Sequence, residues 1–138
     1  MGKIIDCVTF FDNNFMFDFR YNEINRYVDK FLICESLYDH KNNLKKINFD
    51  PQKKYINNPK VLHVLLEKKF PSNTNEWQNQ ALQREFILNK LDFASEDDYI
   101  FFSDPDEIPN PRLLTNFYLE KRYGIFFQNC FNFKFCYC

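Results

Sequence analysis

The chain has 138 residues, with 18 Lys and Arg against 19 Asp and Glu, and only two glycines, Gly2 and Gly124. A glycine-rich phosphate-binding loop needs several glycines between a strand and a helix, so the composition excludes one. The formal net charge of -1 offers no basic surface for a phosphodiester backbone, and we expect no nucleic-acid partner. The length suits one domain with a substantial core.

Cysteine content and hydropathy predict the compartment. The 5 cysteines show neither CxxC pairs nor zinc-like spacing, which favours free thiols in a reducing cytoplasm. The sequence has no apolar run of the roughly 20 residues that a membrane helix needs. Its first residues lack the apolar core of a signal peptide. We therefore expect a cytoplasmic protein with no transmembrane segment.

Four short apolar runs predict β-strands. They comprise residues 3–11, 31–34, 61–66 and 99–102. The first and third runs do not alternate cleanly between apolar and polar residues, which is typical of strands covered on both faces of a sheet. Residues 36–59 are polar and lysine-rich, so we predict that they form mostly loop.

Two segments between these strands have the periodicity of amphipathic helices. One begins at Phe15, and its predicted apolar face comprises Phe17, Tyr21, Ile24 and Val28. The other follows a capping residue, Asn75, and runs to about Leu91. Alternating strands and helices predict a single α/β domain over residues 1–138 with a largely parallel sheet.

The last third of the chain predicts a helix and a strand. Asn110 followed by Pro111 favours a helix start, and Gly124 favours a left-handed stop. Residues 125–137 alternate between apolar and polar side chains without a turn, which predicts a strand. We expect the chain to stop inside this element, so that the open strand edge would favour self-association.

An acidic turn follows the fourth predicted strand. Asp104, Asp106 and Glu107 lie at the point where ligands bind in open α/β sheets. Pro105 makes the turn stiff. Crowded carboxylates favour a hard divalent cation, which could hold a diphosphate. The alternative is an ordinary solvated turn that also caps the helix at Asn110.

Arg84 shares a helical stripe with apolar residues, so we predict that it faces the protein body. The stripe comprises Trp77, Ala81, Leu88 and Leu91. An arginine on an inward face needs an anion or a carboxylate. Direct phosphate contact and a structural ion pair with Asp97, Asp98 or Glu107 are both open.

Three further polar residues have ambiguous roles. Glu35, at the end of the second predicted strand, could accept hydrogen bonds from a ribose or base, or could be a solvated strand end. His63 lies inside an apolar run, which favours a satisfied core histidine over a ligand. His40 lies in a polar loop and stays unassigned.

Together these residues resemble glycosyltransferase family 17, the family of the bisecting N-acetylglucosaminyltransferases. The resemblance covers most of the chain. Its most specific segment is 103–109, which reads Ser-Asp-Pro-Asp-Glu-Ile-Pro. The other matching positions are residues 6–11, Arg20, residues 22–23, residues 28–31, residues 34–36 and Arg84.

The resemblance implies a GT-A fold with a Rossmann-like sheet, of which this chain would be the donor-binding half. It implies transfer of N-acetylglucosamine from UDP-N-acetylglucosamine to a glycan acceptor, with inversion and with Mn²⁺ or Mg²⁺. Asp104 and Asp106 would hold the metal, with Asp104 also near the ribose. The nucleotide-sugar pocket would further include Thr9, Phe11, Glu35 and Arg84. The general base is unassigned, and we expect it beyond Cys138.

Two other hypotheses fit the same residues. The first is a catalytically inert product, either a gene remnant or a sugar-nucleotide-binding module. The second is a metal-dependent nucleotidyltransferase, which would share the acidic turn. Nucleotide incorporation, rather than UDP release, would identify the latter.

Overall fold

A computed structural model describes residues 2–128 of the chain. Its elements follow the predicted alternation of strands and helices. In chain order they are β1 (Ile4–Phe10), α1 (Asn14–Ile24), β2 (Lys30–Ser36), β3 (Val61–Leu66), α2 (Glu76–Leu88), β4 (Tyr99–Ser103) and α3 (Pro111–Leu114). The predicted α/β class and the four predicted strands are confirmed.

The four strands form one parallel sheet in the order β3-β2-β1-β4. The chain builds the sheet outward from β1 through β2 to β3, and then returns to place β4 on the other side of β1. This topology is Rossmann-like. Because the order of strand addition reverses at β1, a topological switch point lies between the carboxyl ends of β1 and β4. Sheets of this type bind ligands at such a point.

Alternate residues of β1 face the two sides of the sheet, and each side has its own core. Ile4, Val8 and Phe10 pack in the core that includes Phe17 and Ile24 of α1. Ile5 and Cys7 pack on the other side against Ile87 of α2. Because helices cover both faces, β1 and β2 are buried almost throughout, which explains their continuous apolar runs.

The predicted apolar face of α1 is confirmed for Phe17, Tyr21 and Ile24, whereas Val28 lies beyond the end of the helix. Phe17, Ile24 and Val28 are buried, and Tyr21 packs against the same core. The ring of Phe17 makes edge-on contacts with Phe31, Phe49 and Tyr55 at centroid distances of 5.1–6.0 Å. Two of these partners belong to the loop between β2 and β3, so the aromatic cluster anchors that loop to the sheet.

The stripe predicted to face inward on α2 is wrong. Trp77 and Leu88 are 80% and 57% exposed, and the buried residues of the helix are Asn79, Gln83 and Ile87. The inward face of α2 is partly polar because its side-chain amides donate hydrogen bonds to backbone carbonyls of other segments. Gln83 Nε2 donates to the carbonyl of Cys34 at 2.9 Å, and Asn79 Nδ2 donates to the carbonyl of His40 at 2.9 Å.

The predicted start of α3 is confirmed, but its predicted end is wrong. Asn110 caps the helix by accepting from the Arg112 backbone N–H at 3.0 Å, yet the helix ends at Leu114 after one turn. Gly124 has no positive φ; Asn116 takes the left-handed conformation, with φ 55°. The chain leaves the helix early because Phe117 packs edge-on against Tyr99 and Phe101 of β4.

The remaining segments of residues 2–128 carry no further long element. Residues 37–60 form a loop, as predicted, with one isolated bridge between Tyr38 and Leu44. Residues 125–128 are irregular, and the rest of the strand predicted over 125–137 lies outside the described residues. None of the helices within residues 2–128 combines the length and hydropathy required to cross a membrane.

Candidate donor site at the switch point

A cleft of about 310 Å³ opens at the carboxyl ends of β1 and β4. Each of the surrounding elements contributes side chains to it: Cys7 and Thr9 from β1, Arg84 and Ile87 from α2, Phe102 and Ser103 from β4, and Asp104 and Glu107 from the turn that follows. Cys7 and Ile87 are fully buried at its floor, whereas the charged residues Arg84, Asp104 and Glu107 are at least partly exposed at its mouth. This arrangement suits a ligand with a polar part and a less polar part.

The acidic turn is closed by its own hydrogen bonds. The backbone N–H of Asp104 donates to Oε2 of Glu107 at 3.0 Å, and the N–H of Glu107 donates to the carbonyl of Asp104 at 3.0 Å. The side chains of Asp106 and Glu107 are exposed, while Asp104 is partly buried. The turn therefore presents carboxylates to solvent at the edge of the cleft while its backbone is fixed.

Arg84 and Asp104 form an ion pair across the cleft, in which Arg84 Nη2 donates to Asp104 Oδ1. The Arg84 side chain is 45% exposed, so the prediction that it faces the protein body is wrong. Its ion-pair partner also differs from the three acidic residues expected for a structural pair. Both side chains lie at a surface accessible to a ligand, where such a pair contributes little to stability.

Behind the turn, Arg20 and Asp6 form a fully buried ion pair. Arg20 Nε donates to Oδ2 of Asp6 at 2.7 Å, and Nη2 donates to Oδ1 at 2.6 Å. The same Nη2 donates to Oγ of Ser103 at 2.7 Å, so the pair connects α1, β1 and the end of β4. Arg20 is spaced like the buried residues Phe17 and Ile24 of α1, which is the signal that could have revealed its burial.

The comparison with protein families matches residues 1–120 to glycosyltransferase family 17. The chain belongs to this family. The searches of curated proteins and of solved structures gave no match. As a family 17 glycosyltransferase, the protein uses a sugar donor and an acceptor. The matched segment includes the acidic turn and every residue that lines the cleft.

Three of the predicted site residues of this family 17 chain line the cleft together: Thr9, Arg84 and Asp104. Asp106 lies in the same turn and is exposed. Glu107, which the sequence placed in the acidic turn, also lines the cleft, and so do four residues that were not predicted there: Cys7, Ile87, Phe102 and Ser103. Their positions in the cleft depend on which face of its strand each residue occupies and on how α2 packs against the sheet. Residue type alone indicates neither.

Glu35 and Phe11 are placed outside this set of lining residues. Glu35 is fully buried, and its carboxylate accepts from Lys45 Nζ at 2.6 Å and from the backbone N–H of Asn48 at 2.7 Å. The Phe11 ring is 53% exposed, and Lys45 Nζ lies 5.4 Å from its centroid. Their roles in donor binding stay predictions, and Glu35 has a full set of protein partners.

Burial makes the thiol in the cleft floor unreactive. The pKa of Cys7 is raised to about 12, chiefly by burial and next by the charge of Asp6. At neutral pH the group is therefore a neutral, weakly polar part of the floor.

Proposed function

We propose that the chain binds UDP-N-acetylglucosamine in the cleft and transfers N-acetylglucosamine to a glycan acceptor, with inversion, as part of a GT-A fold. The observation that carries the proposal is the position of the acidic turn. In a family 17 chain, Asp104 and Asp106 follow β4 directly at the switch point of the sheet. A nucleoside diphosphate bound there would have its anionic groups beside this turn.

The residues present fit a Mn²⁺ or Mg²⁺ ion bound with the donor. Among residues 2–128, no group of three or more His, Cys, Asp or Glu side chains is arranged to hold a metal alone. Hard cations often use one or two carboxylates and complete their shell with water and substrate phosphates. Asp106, with Asp104, would supply those carboxylates. The ion would offset the negative charge that develops on the departing diphosphate.

The protein's own groups would orient the donor. Arg84, partly exposed at the mouth, would exchange its bond to Asp104 for bonds to the diphosphate, since a guanidinium binds phosphate oxygens in a bidentate manner. This exchange would free Oδ1 of Asp104 to act on the donor or its cation. The Thr9 hydroxyl lines the cleft and could bond to the nucleotide, while Ile87 excludes water from the floor.

Calorimetric titration of the full chain with UDP-N-acetylglucosamine, with and without Mn²⁺, tests the proposal. We expect Mn²⁺ to strengthen binding at least about tenfold, and Asp106→Asn to abolish that gain. Asp92→Asn is the matched control, because Asp92 is exposed in the connection between α2 and β4. This connection leads to the amino-terminal end of β4, whereas the cleft lies at the carboxyl end. Equal binding with and without Mn²⁺ would refute the metal assignment.

The chemistry is tested by product analysis with glycan acceptors. Transfer predicts release of UDP and a sugar whose anomeric configuration is inverted relative to the donor. Binding without UDP release would favour the inert sugar-nucleotide-binding module. Incorporation of nucleotide into a product would instead identify a nucleotidyltransferase.

A further inference from the structure

We propose that Arg20 is a positioning residue that sets the conformation of the acidic turn from behind, and that its loss impairs the site while the sheet stays intact. The proposal deepens the donor-binding function above and rests on it for its ligand. Arg20 is completely buried and does not itself line the cleft, but it contacts three residues that do: Ser103, Asp104 and Glu107.

The contacts of Arg20 are concentrated on the backbone of the turn. Nη1 lies 3.2 Å from the carbonyl oxygen of Asp104, 3.4 Å from that of Pro105 and 3.1 Å from that of Glu107. Three carbonyls within four consecutive residues thus converge on a single nitrogen. With these carbonyls directed inward, the backbone of the segment that carries Asp104, Asp106 and Glu107 is fixed.

Asp6 holds the guanidinium in place for this task. It accepts two hydrogen bonds from Nε and Nη2 of Arg20, in the fork geometry that only arginine provides. The buried positive charge is therefore neutralised by Asp6 and not by the acids of the turn. The contribution of Arg20 to the turn is accordingly one of geometry, since its charge is already paired.

The substitution Arg20→Lys tests the geometric role of the side chain separately from its charge. A lysine ammonium can still pair with Asp6, but it has three donors at one point and cannot also span the carbonyls of the turn. We therefore expect Arg20→Lys to fold and to leave the turn loose. Arg26→Lys is the matched control, because Arg26 is an exposed arginine just beyond the end of α1.

Hydrogen exchange of the full chain, measured by mass spectrometry, is the first readout. For Arg20→Lys we expect amides in residues 103–108 to exchange about tenfold faster, while the Val61–Leu66 strand keeps its protection. Unchanged exchange in the turn would overturn the proposal. A uniform rise across the chain would also overturn it, because that result describes a general loss of stability.

Donor affinity is the second readout. With Mn²⁺ present, we expect UDP-N-acetylglucosamine to bind Arg20→Lys at least about tenfold more weakly than the unsubstituted chain. A loosened turn with unchanged affinity would overturn the positioning role. If the unsubstituted chain itself fails to bind the donor, the proposed function fails, and hydrogen exchange still decides whether Arg20 holds the turn.

A second variant covers the case in which Arg20→Lys does not fold. The double substitution Asp6→Leu with Arg20→Met removes both buried charges, so that neither is left unpaired in the core. Replacing a buried pair with apolar residues of similar volume is often neutral for stability. The same two readouts, with the same expected results, then apply to this variant.

Discussion

His63 and Glu35 make a diagonal contact between neighbouring parallel strands: His63 is in register with Ile33, and its Nε2 lies 3.2 Å from Oε2 of Glu35. The carboxylate also accepts from Lys45 and from the backbone N–H groups of Asn48 and Phe49. One buried carboxylate therefore fixes the β2–β3 loop to the sheet. His63 therefore has a hydrogen-bond partner, as predicted, but its side chain is 28% exposed and is not fully part of the core.

The Glu35 cluster predicts a pH-dependent contribution to stability. Burial alone would raise the pKa of Glu35, but hydrogen bonds from His63, Lys45 and the Asn48 backbone outweigh it and hold the pKa below its ordinary value of 4.5. Because the folded pKa is lowered, the contribution is complete above the ordinary value and is lost as the pH falls through the folded one. Glu35→Gln should lower the free energy of unfolding at pH 7 by about 3 kcal/mol.

Urea unfolding of both proteins across the acidic range checks this. The difference between the unsubstituted chain and Glu35→Gln should be constant down to the ordinary glutamate pKa and then shrink. Glu85→Gln, a change of an exposed glutamate on α2, is the control and should have little effect. A difference that does not vary with pH would show that the charge of Glu35 is not responsible.

Arg84→Ala should weaken donor binding with little effect on stability. The ion pair with Asp104 is nearly half exposed, so its loss should change the free energy of unfolding by less than about 1 kcal/mol. Loss of a phosphate contact should reduce the affinity for UDP-N-acetylglucosamine about tenfold. Titration calorimetry measures this, with the exposed Arg26→Ala as control. An unchanged or higher affinity would assign Arg84 a role outside donor binding.

Asn75→Ala should destabilise the protein by about 1 kcal/mol. Oδ1 of Asn75 accepts from the backbone N–H of Gln78 at 2.9 Å, and Oε1 of Gln78 accepts from the N–H of Asn75 at 2.9 Å. The variant loses one of these reciprocal bonds at the start of α2. Thermal and urea unfolding measure the change against Asn73→Ala, which alters an exposed asparagine just before the helix. Equal stabilities of the two variants would refute the importance of this cap.

Cys7 and Cys34 should resist alkylation in the folded protein. Both are fully buried, and burial is the largest cause that raises the pKa of each thiol to about 12. At pH 8 about one molecule in ten thousand would carry the thiolate at either position. Iodoacetamide labelling with peptide-resolved mass spectrometry should therefore modify these two sites only after denaturation. Rapid labelling of Cys7 in the native protein would mean that the cleft floor opens.

Local sequence signals predicted most of the fold. The run at residues 61–66 coincides with β3, and the capping residues Asn75 and Asn110 both begin helices. Each of these signals is complete within a few neighbouring residues. The orientation of α2 was not predictable in this way, because Gln83 and Asn79 bond to carbonyls of Cys34 and His40, roughly forty to fifty residues away in sequence.

For the candidate site, the position of the acidic turn followed from its place after an apolar strand. The partners of its residues did not. Arg84 meets Asp104 across the cleft, and Arg20 meets the carbonyls behind it, only because the sheet brings β4 beside β1. Such contacts depend on strand order, which the periodicity of a single segment does not contain.

The pairing of β1 with β4 also determines when the site can form. Ile4 lies in register with Tyr99, and Val8 with Ser103, so β1 acquires this neighbour only after β2 and β3 have been made. During synthesis, β1 can pair with β2 soon after both leave the ribosome, but its other edge waits for residues 99–103. The cleft, built on that late pairing, is absent until then, and the nascent chain meanwhile exposes an unpaired apolar strand edge.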